Sequence, residues 1–102
     1  MPHTDIINLE REFILQTYQR AEVVFESGKG CYLYDSNKKK YLDFISGIAT
    51  ASLGHGNKAV ANAVSAQAKK IISCSNLYYM KEQVLLAEKL AELSRMEKCF
   101  FS

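Results

Sequence analysis

The sequence predicts an α/β chain, and three observations predict it. Aromatic and β-branched runs between Val23 and Phe44 are separated by turn formers. Val60, Ala63, Val64, Gln67, Ala68 and Ile71 recur at helical spacing. Leu86, Leu90 and Leu93 repeat that pattern further on. The chain has 102 residues, 48% hydrophobic and 24% charged, which suits at most one compact globular domain. Its net charge of +2 argues neither for nucleic acid nor for an anionic membrane, and Lys38-Lys39-Lys40 reads as a solvated turn. No apolar stretch approaches the roughly 18 residues of a membrane span. "MPHTDIINLERE" is too polar and acidic for a signal or transit peptide. Cys31, Cys74 and Cys99 are odd in number and show no CxxC spacing. That favours a reducing, cytoplasmic setting and three buried or half-buried thiols.

The first element expected is a helix capped by Thr4 or Asp5. It has Glu10 and Glu12 early and Ile6, Leu9 and Phe13 on one face, and it fades near Tyr18. His3 is expected in a frayed terminus. A short strand follows at Val23 to Glu26, and Gly28 and Gly30 flank a turn. Cys31 to Asp35 and Lys39 to Phe44 form a hairpin about Ser36-Asn37-Lys38, with Tyr32 and Tyr34 on one face and Cys31 and Leu33 on the other. A loop runs from Ser46 to Gly56. Asn57 then caps a helix over about 58–72, and Glu82 to Leu93 makes another. Cys99, Phe100 and Phe101 read as the opening of a buried strand, which is the cut edge of a longer protein unless it pairs unusually.

Chemistry is sparse. In "SGIATASLGHGNKAV", residues 46–60, eight of fifteen side chains belong to Gly, Ala or Ser. Either the backbone packs tightly on itself there, or something other than protein comes close. His55 has no Cys, Asp or Glu at a metal-ligand spacing and reads as a loop residue bonded to nearby backbone. No paired carboxylates, Walker loop, GxSxG or dinucleotide fingerprint is present. Tyr78 and Tyr79 fit interhelix packing, and Ser75 and Asn76 fit a turn. Equally, this segment offers hydrogen bonds and an aromatic wall to a ligand.

"FILQTYQR" at 13–20, "GKGCYLYDSNKKKYLDFISGIATASLGH" at 28–55, "SNLYY" at 75–79 and "LAELSRMEKCFFS" at 90–102 come in an order and spacing that resemble the class III aminotransferases. The acetylornithine branch is the nearest likeness, and the resemblance covers nearly all of the chain after residue 10. It implies the N-terminal segment of a fold-type I transferase dependent on pyridoxal 5'-phosphate. Residues 1–45 would give an N-terminal helix and hairpin, part of the small domain. Residues 46–102 would begin the large cofactor-binding domain. The resemblance also implies that the chain stops directly before the loop holding the cofactor phosphate. The Schiff-base lysine, the aspartate on the pyridine nitrogen and the arginine for the substrate carboxylate then lie outside these residues, so this piece would not hold the cofactor specifically.

By the same resemblance, Tyr18, Ser46, Gly47 and Ile48 face the substrate. Tyr18 lies near its carboxylate and Ile48 in its side-chain pocket, where a tyrosine would point to free ornithine. Asn76, Leu77 and Tyr78 approach the cofactor or the dimer interface. The reaction implied moves the δ-amino group of N-acetylornithine to 2-oxoglutarate in arginine biosynthesis, in a cytoplasmic homodimer without nucleic-acid or membrane partners. Ornithine, succinylornithine and 4-aminobutyrate aminotransferases are alternatives, as is a catalytically inactive fragment. One departure is visible: where the family has proline after Gly-His, this chain has His55-Gly56-Asn57-Lys58. Proline suits the first position of a helix, so its loss costs some helix definition.

Overall fold

In the computed structural model, which describes residues 2–102, the first helix, α1, spans His3–Phe13. Pro2 stands at its N-cap with no side-chain cap bond, so neither Thr4 nor Asp5 caps it. Asp5 instead lies in the first turn, where the helix dipole favours a negative charge. The helix ends well before Tyr18. Ile14 turns extended, and the Gln16 Nε2 donates to the carbonyls of Ile14 (2.7 Å) and Glu10 (3.3 Å). The Glu10 carbonyl also keeps its helical bond from the Ile14 amide (2.9 Å), so the Gln16 side chain adds to the end of the helix without replacing a bond. The early stop leaves Glu10 and Glu12 late in α1, not early. His3 is tied down, its ring within bonding distance of the Ser36 hydroxyl (3.3 Å) and the Glu22 carbonyl (3.1 Å). Ion pairs of Arg11 with Glu22 and of Arg20 with Glu10, both at 2.7 Å, join α1 to the segment after it.

Three antiparallel strands follow in the order β1-β2-β3: β1 at Phe25–Lys29, β2 at Tyr32–Asp35 and β3 at Lys40–Leu42. The expected hairpin forms as β2 and β3, shorter at its ends, with Leu33 opposite Tyr41. The strand expected at 23–26 begins at Phe25 and continues to Lys29 past an irregularity between Phe25 and Ser27. Gly28 is therefore a strand residue. Only Gly30, at φ +58°, belongs to the turn.

The turn after β2 is organised by Asp35, at 5% exposure the one buried polar or charged residue among those described. Its Oδ1 accepts from the amides of Asn37 (2.8 Å) and Lys39 (2.9 Å), and its Oδ2 accepts from the Tyr41 hydroxyl (3.0 Å). Burial pushes this carboxyl up. The bonds from Lys39, Tyr41 and Asn37, with the Lys39 charge, outweigh burial and hold it below the usual range.

Helix α2 spans Lys58–Ala68 and α3 spans Lys81–Ser94. Asn57 caps α2 as expected, its Oδ1 accepting from the Val60 amide at 3.1 Å. α2 stops short of residue 72; beyond it the Lys70 and Ile71 amides share the Gln67 carbonyl (both 3.0 Å), and the Gln67 side chain donates to the Ile71 carbonyl (3.1 Å). Residues 99–101 join no strand. Cys31 is exposed, against the expectation of a buried or half-buried thiol, while Cys74 and Cys99 are half-buried.

These residues divide into two compact units, one ending at Val64 and the other Ser65–Ser102. Among the described residues no hydrophobic side chain is buried, and the stripes of α1, α2 and α3 lie open to solvent. Contiguous exposed apolar faces drive association, and small cores are marginal to begin with. The isolated 102-residue chain is therefore expected to be aggregated or molten. Calorimetry and dye binding would check this, and a sharp cooperative melt from a clean monomer would contradict it.

Candidate functional site

The loop after β3 contains a backbone feature that the sequence does not announce. Ser46, Gly47, Ile48 and Ala49 all have positive φ, at 53°, 60°, 55° and 66°. They form a left-handed turn in which the Ala49 amide reaches the Ile45 carbonyl (3.2 Å) and the Ala51 amide the Ser46 carbonyl (2.9 Å). For L-residues this conformation costs about 1–2 kcal/mol each, and a β-branched residue such as Ile48 suits it least. Such strain persists only where surrounding bonds over-determine it.

Those bonds converge on Asp43, whose side chain is 7% exposed. At the loop's entry its Oδ1 accepts from the amides of Ile45 and Ser46, both at 2.9 Å. At the exit its Oδ2 accepts from the His55 ring, with Nε2 at 2.7 Å. The His55 bond, with the Ser46 and Ile45 amides, holds the Asp43 carboxyl below its usual range against the opposing effect of burial. His55 is itself fixed. Its backbone forms a two-bond bridge with Gly30 (2.8 and 2.9 Å), and the Asp43 amide bonds the Cys31 carbonyl (2.9 Å). Both ends of the loop are thus fastened to the β1–β2 turn.

Two glycines permit this closeness. A Cβ at Gly28 would lie 2.6 Å from both Cβ and Cγ of His55. A Cβ at Gly54 would lie 3.1 Å from the Gly30 Cα, on a backbone already at φ +85°. Within the small-residue run, Gly54 is thus a place where backbone packs on backbone. The His55 ring, read from the sequence as bonded to nearby backbone, bonds instead to a carboxylate that spacing along the chain did not suggest. It is a pair only, for among the described residues no three His, Cys, Asp or Glu side chains gather as metal ligands.

Tyr18 is exposed at a cleft of about 360 Å³ shared with Glu10, Gln16, Arg20 and Val23. The Arg20 guanidinium lies 5.6 Å from its ring centroid. Ser46 is half-buried in the left-handed turn, and Ile48 projects from it, 87% exposed. Gly47 lines a different open cavity, with Phe25, Leu42, Phe44 and His55, so these residues do not bring Tyr18 and Gly47 into one pocket. Asn76, Leu77 and Tyr78 belong to the second unit. There Ser75, at φ 71°, makes a turn by accepting from the Leu77 amide at its hydroxyl (3.3 Å) and from the Tyr78 amide at its carbonyl (3.2 Å). Asn76 accepts from Gln83 at 3.3 Å, and Leu77 and Tyr78 are exposed. Asp43, Gly28 and Gly54 were missed. The one signal for the two glycines was the pair of glycine-flanked stretches "GKG" and "GHG", which interlock, and nothing marked Asp43.

Lys38 is paired with Glu26 and Lys89 with Glu92, while Lys39 and Lys40 lie over the rings of Tyr41 and Tyr32. No lysine lines the clefts beside Tyr18, Gly47 or His55.

Known proteins are similar to this chain in sequence and in fold. The chain is 52% identical over 97 residues to the acetylornithine aminotransferase of Archaeoglobus fulgidus, covering 95% of this chain and 26% of that protein. Among solved structures it matches the ornithine delta-aminotransferase of Plasmodium falciparum with a TM-score of 0.86 at 28% identity, covering 96% of this chain and 25% of that one. It matches the N-acetylornithine aminotransferase of Stenotrophomonas maltophilia with a TM-score of 0.80 at 33% identity, covering 92% and 24%. The chain thus spans about a quarter of the length of these relatives. The family profile described as aminotransferase class-III matches residues 14–102, which include the sheet, the left-handed turn and both later helices. By that match over most of its length, the chain belongs to the class-III aminotransferases.

Proposed function

We propose that this chain is part of an enzyme that transfers the δ-amino group of N-acetylornithine to 2-oxoglutarate with pyridoxal 5'-phosphate, in arginine biosynthesis. The observation that carries this reading is the 52% identity, over nearly the whole chain, to an acetylornithine aminotransferase. The cofactor supplies an electron sink for the amino-transfer chemistry. The residues described here supply walls. Ile48 offers a branched aliphatic surface to the acylated end of the donor. Ser46 and Gly47 let the backbone come close to it, and Tyr18 stands near its carboxylate. Asn76, Leu77 and Tyr78 serve the cofactor edge or the interface of a cytoplasmic homodimer. Residues 1–45 belong to the small domain and residues 46–102 begin the large one.

The likeness to a solved ornithine delta-aminotransferase favours a second reading, with free ornithine as donor. Ile48 weighs against it, since a hydroxyl-bearing tyrosine there would suit an uncapped amine better. The deciding experiment uses the intact enzyme, loaded with cofactor and saturated with 2-oxoglutarate. Its kcat/KM is expected to be higher for N-acetylornithine than for ornithine, succinylornithine or 4-aminobutyrate. A higher value for any of the other three would overturn the assignment of donor, and glutamate formation from none of them would overturn the reaction itself.

A further inference from the structure

We propose that Asp43 and His55 act together as a positioning clamp for the turn Ser46 to Ala49, and so set how well the intact enzyme binds its amino donor. The link to the donor rests on the reading above, in which that turn is a substrate wall. The clamp itself rests on geometry. Four successive residues hold a left-handed conformation, three of them with side chains that disfavour it. The turn's own amide bonds are short-range, and they do not determine where the turn stands. Asp43 does so by spending one oxygen on the amides at the entry and the other on the His55 ring at the exit, 12 residues away. His55 carries that restraint to the sheet through its backbone bridge with Gly30. Neither residue need touch the donor, since each acts through the turn.

The experiment compares the intact wild-type enzyme with His55→Leu, Asp43→Leu, their double variant, His55→Asn and His55→Gln. A glutamine amide nitrogen can reach the place of Nε2, whereas that of asparagine falls short of Asp43. Loss of one charge-assisted bond is expected to raise KM for the preferred donor by about 10- to 100-fold, with a smaller change in kcat. Amide exchange at Ala49 and Ala51, measured without substrate, should accelerate by about the same factor. Neither amide bonds to Asp43 or His55, so acceleration there reports on the turn as a whole. His55→Gln should restore most of both quantities. The double variant should be no worse than the worse single one, because the pair works as a unit.

Should the leucine variants fail to fold, the contrast of His55→Asn with His55→Gln decides alone. An unchanged donor KM overturns the proposal. So does unchanged exchange at Ala49 and Ala51, or a uniform loss of stability with every amide faster and KM intact. The donor preference of the wild type tests the functional reading separately. If the wild type uses none of the donors, that reading fails and the exchange data still judge the clamp.

Discussion

Ile48→Tyr in the intact enzyme is expected to lower kcat/KM for N-acetylornithine by roughly 5- to 150-fold. Adding a ring to a site shaped for a branched aliphatic is overpacking, which costs about 1–3 kcal/mol, at about 1.4 kcal/mol per tenfold. The backbone does not confuse this test. Tyrosine is not β-branched, so the left-handed conformation at φ 55° costs it no more than it costs isoleucine. Nor is a packed core disturbed, because Ile48 is 87% exposed within this chain. Free ornithine should lose less, or gain, since its bare amine fills less of the pocket and can use the new hydroxyl. Both donors should be measured in one assay with 2-oxoglutarate saturating. Equal losses for the two would make Ile48 a packing residue, and the assignment of N-acetylornithine would lose its main structural support. Membership of the class-III family would be untouched.

Gly28→Ala should be the second costly change, although strand β1 itself accepts alanine. The obstacle is His55, whose Cβ and Cγ would each lie 2.6 Å from the new methyl group. A Cβ is one bond from the backbone and cannot swing aside. His55 would have to retreat from its bridge with Gly30 and its bond to Asp43. We expect a loss of about 1–3 kcal/mol in denaturant unfolding of the intact enzyme. Gly30→Ala is the matched comparison. Its Cβ would meet nothing within 4 Å, so only the left-handed backbone at φ +58° is penalised, by about 1–2 kcal/mol. Faster exchange of the Ile45 and Ser46 amides is expected in Gly28→Ala and not in Gly30→Ala. If the two variants behave alike, His55 is not locked against the strand.

Local signals in the chain were enough for a good part of the fold. The hairpin about Ser36 to Lys38 was legible because β-branched and aromatic runs there meet turn-forming residues. α2 was legible because Asn57 precedes a clear stripe, and the cap forms as expected. Element ends were less so. α1 closes at Phe13 because the backbone turns extended at Ile14, and helical periodicity contains no such information. The family, too, was legible in the sequence, because its motifs keep their order and spacing.

The candidate site divides along the same line. Sequence by itself determined that a run of small residues around His55 had to be tightly packed backbone or a ligand's neighbour, since no other use suits so few side-chain atoms. Only the tertiary structure decided how that run is held. Asp43 and His55 stand 12 residues apart, and a hydrogen bond across that gap depends on the β1–β2 turn bringing Gly30 and Cys31 under both ends of the loop. The left-handed run likewise includes Ile48, a residue whose own preference is against it, so local propensity pointed the wrong way. Short-range preferences can be read residue by residue. A conformation imposed against them by distant bonds exists only once the chain has closed on itself.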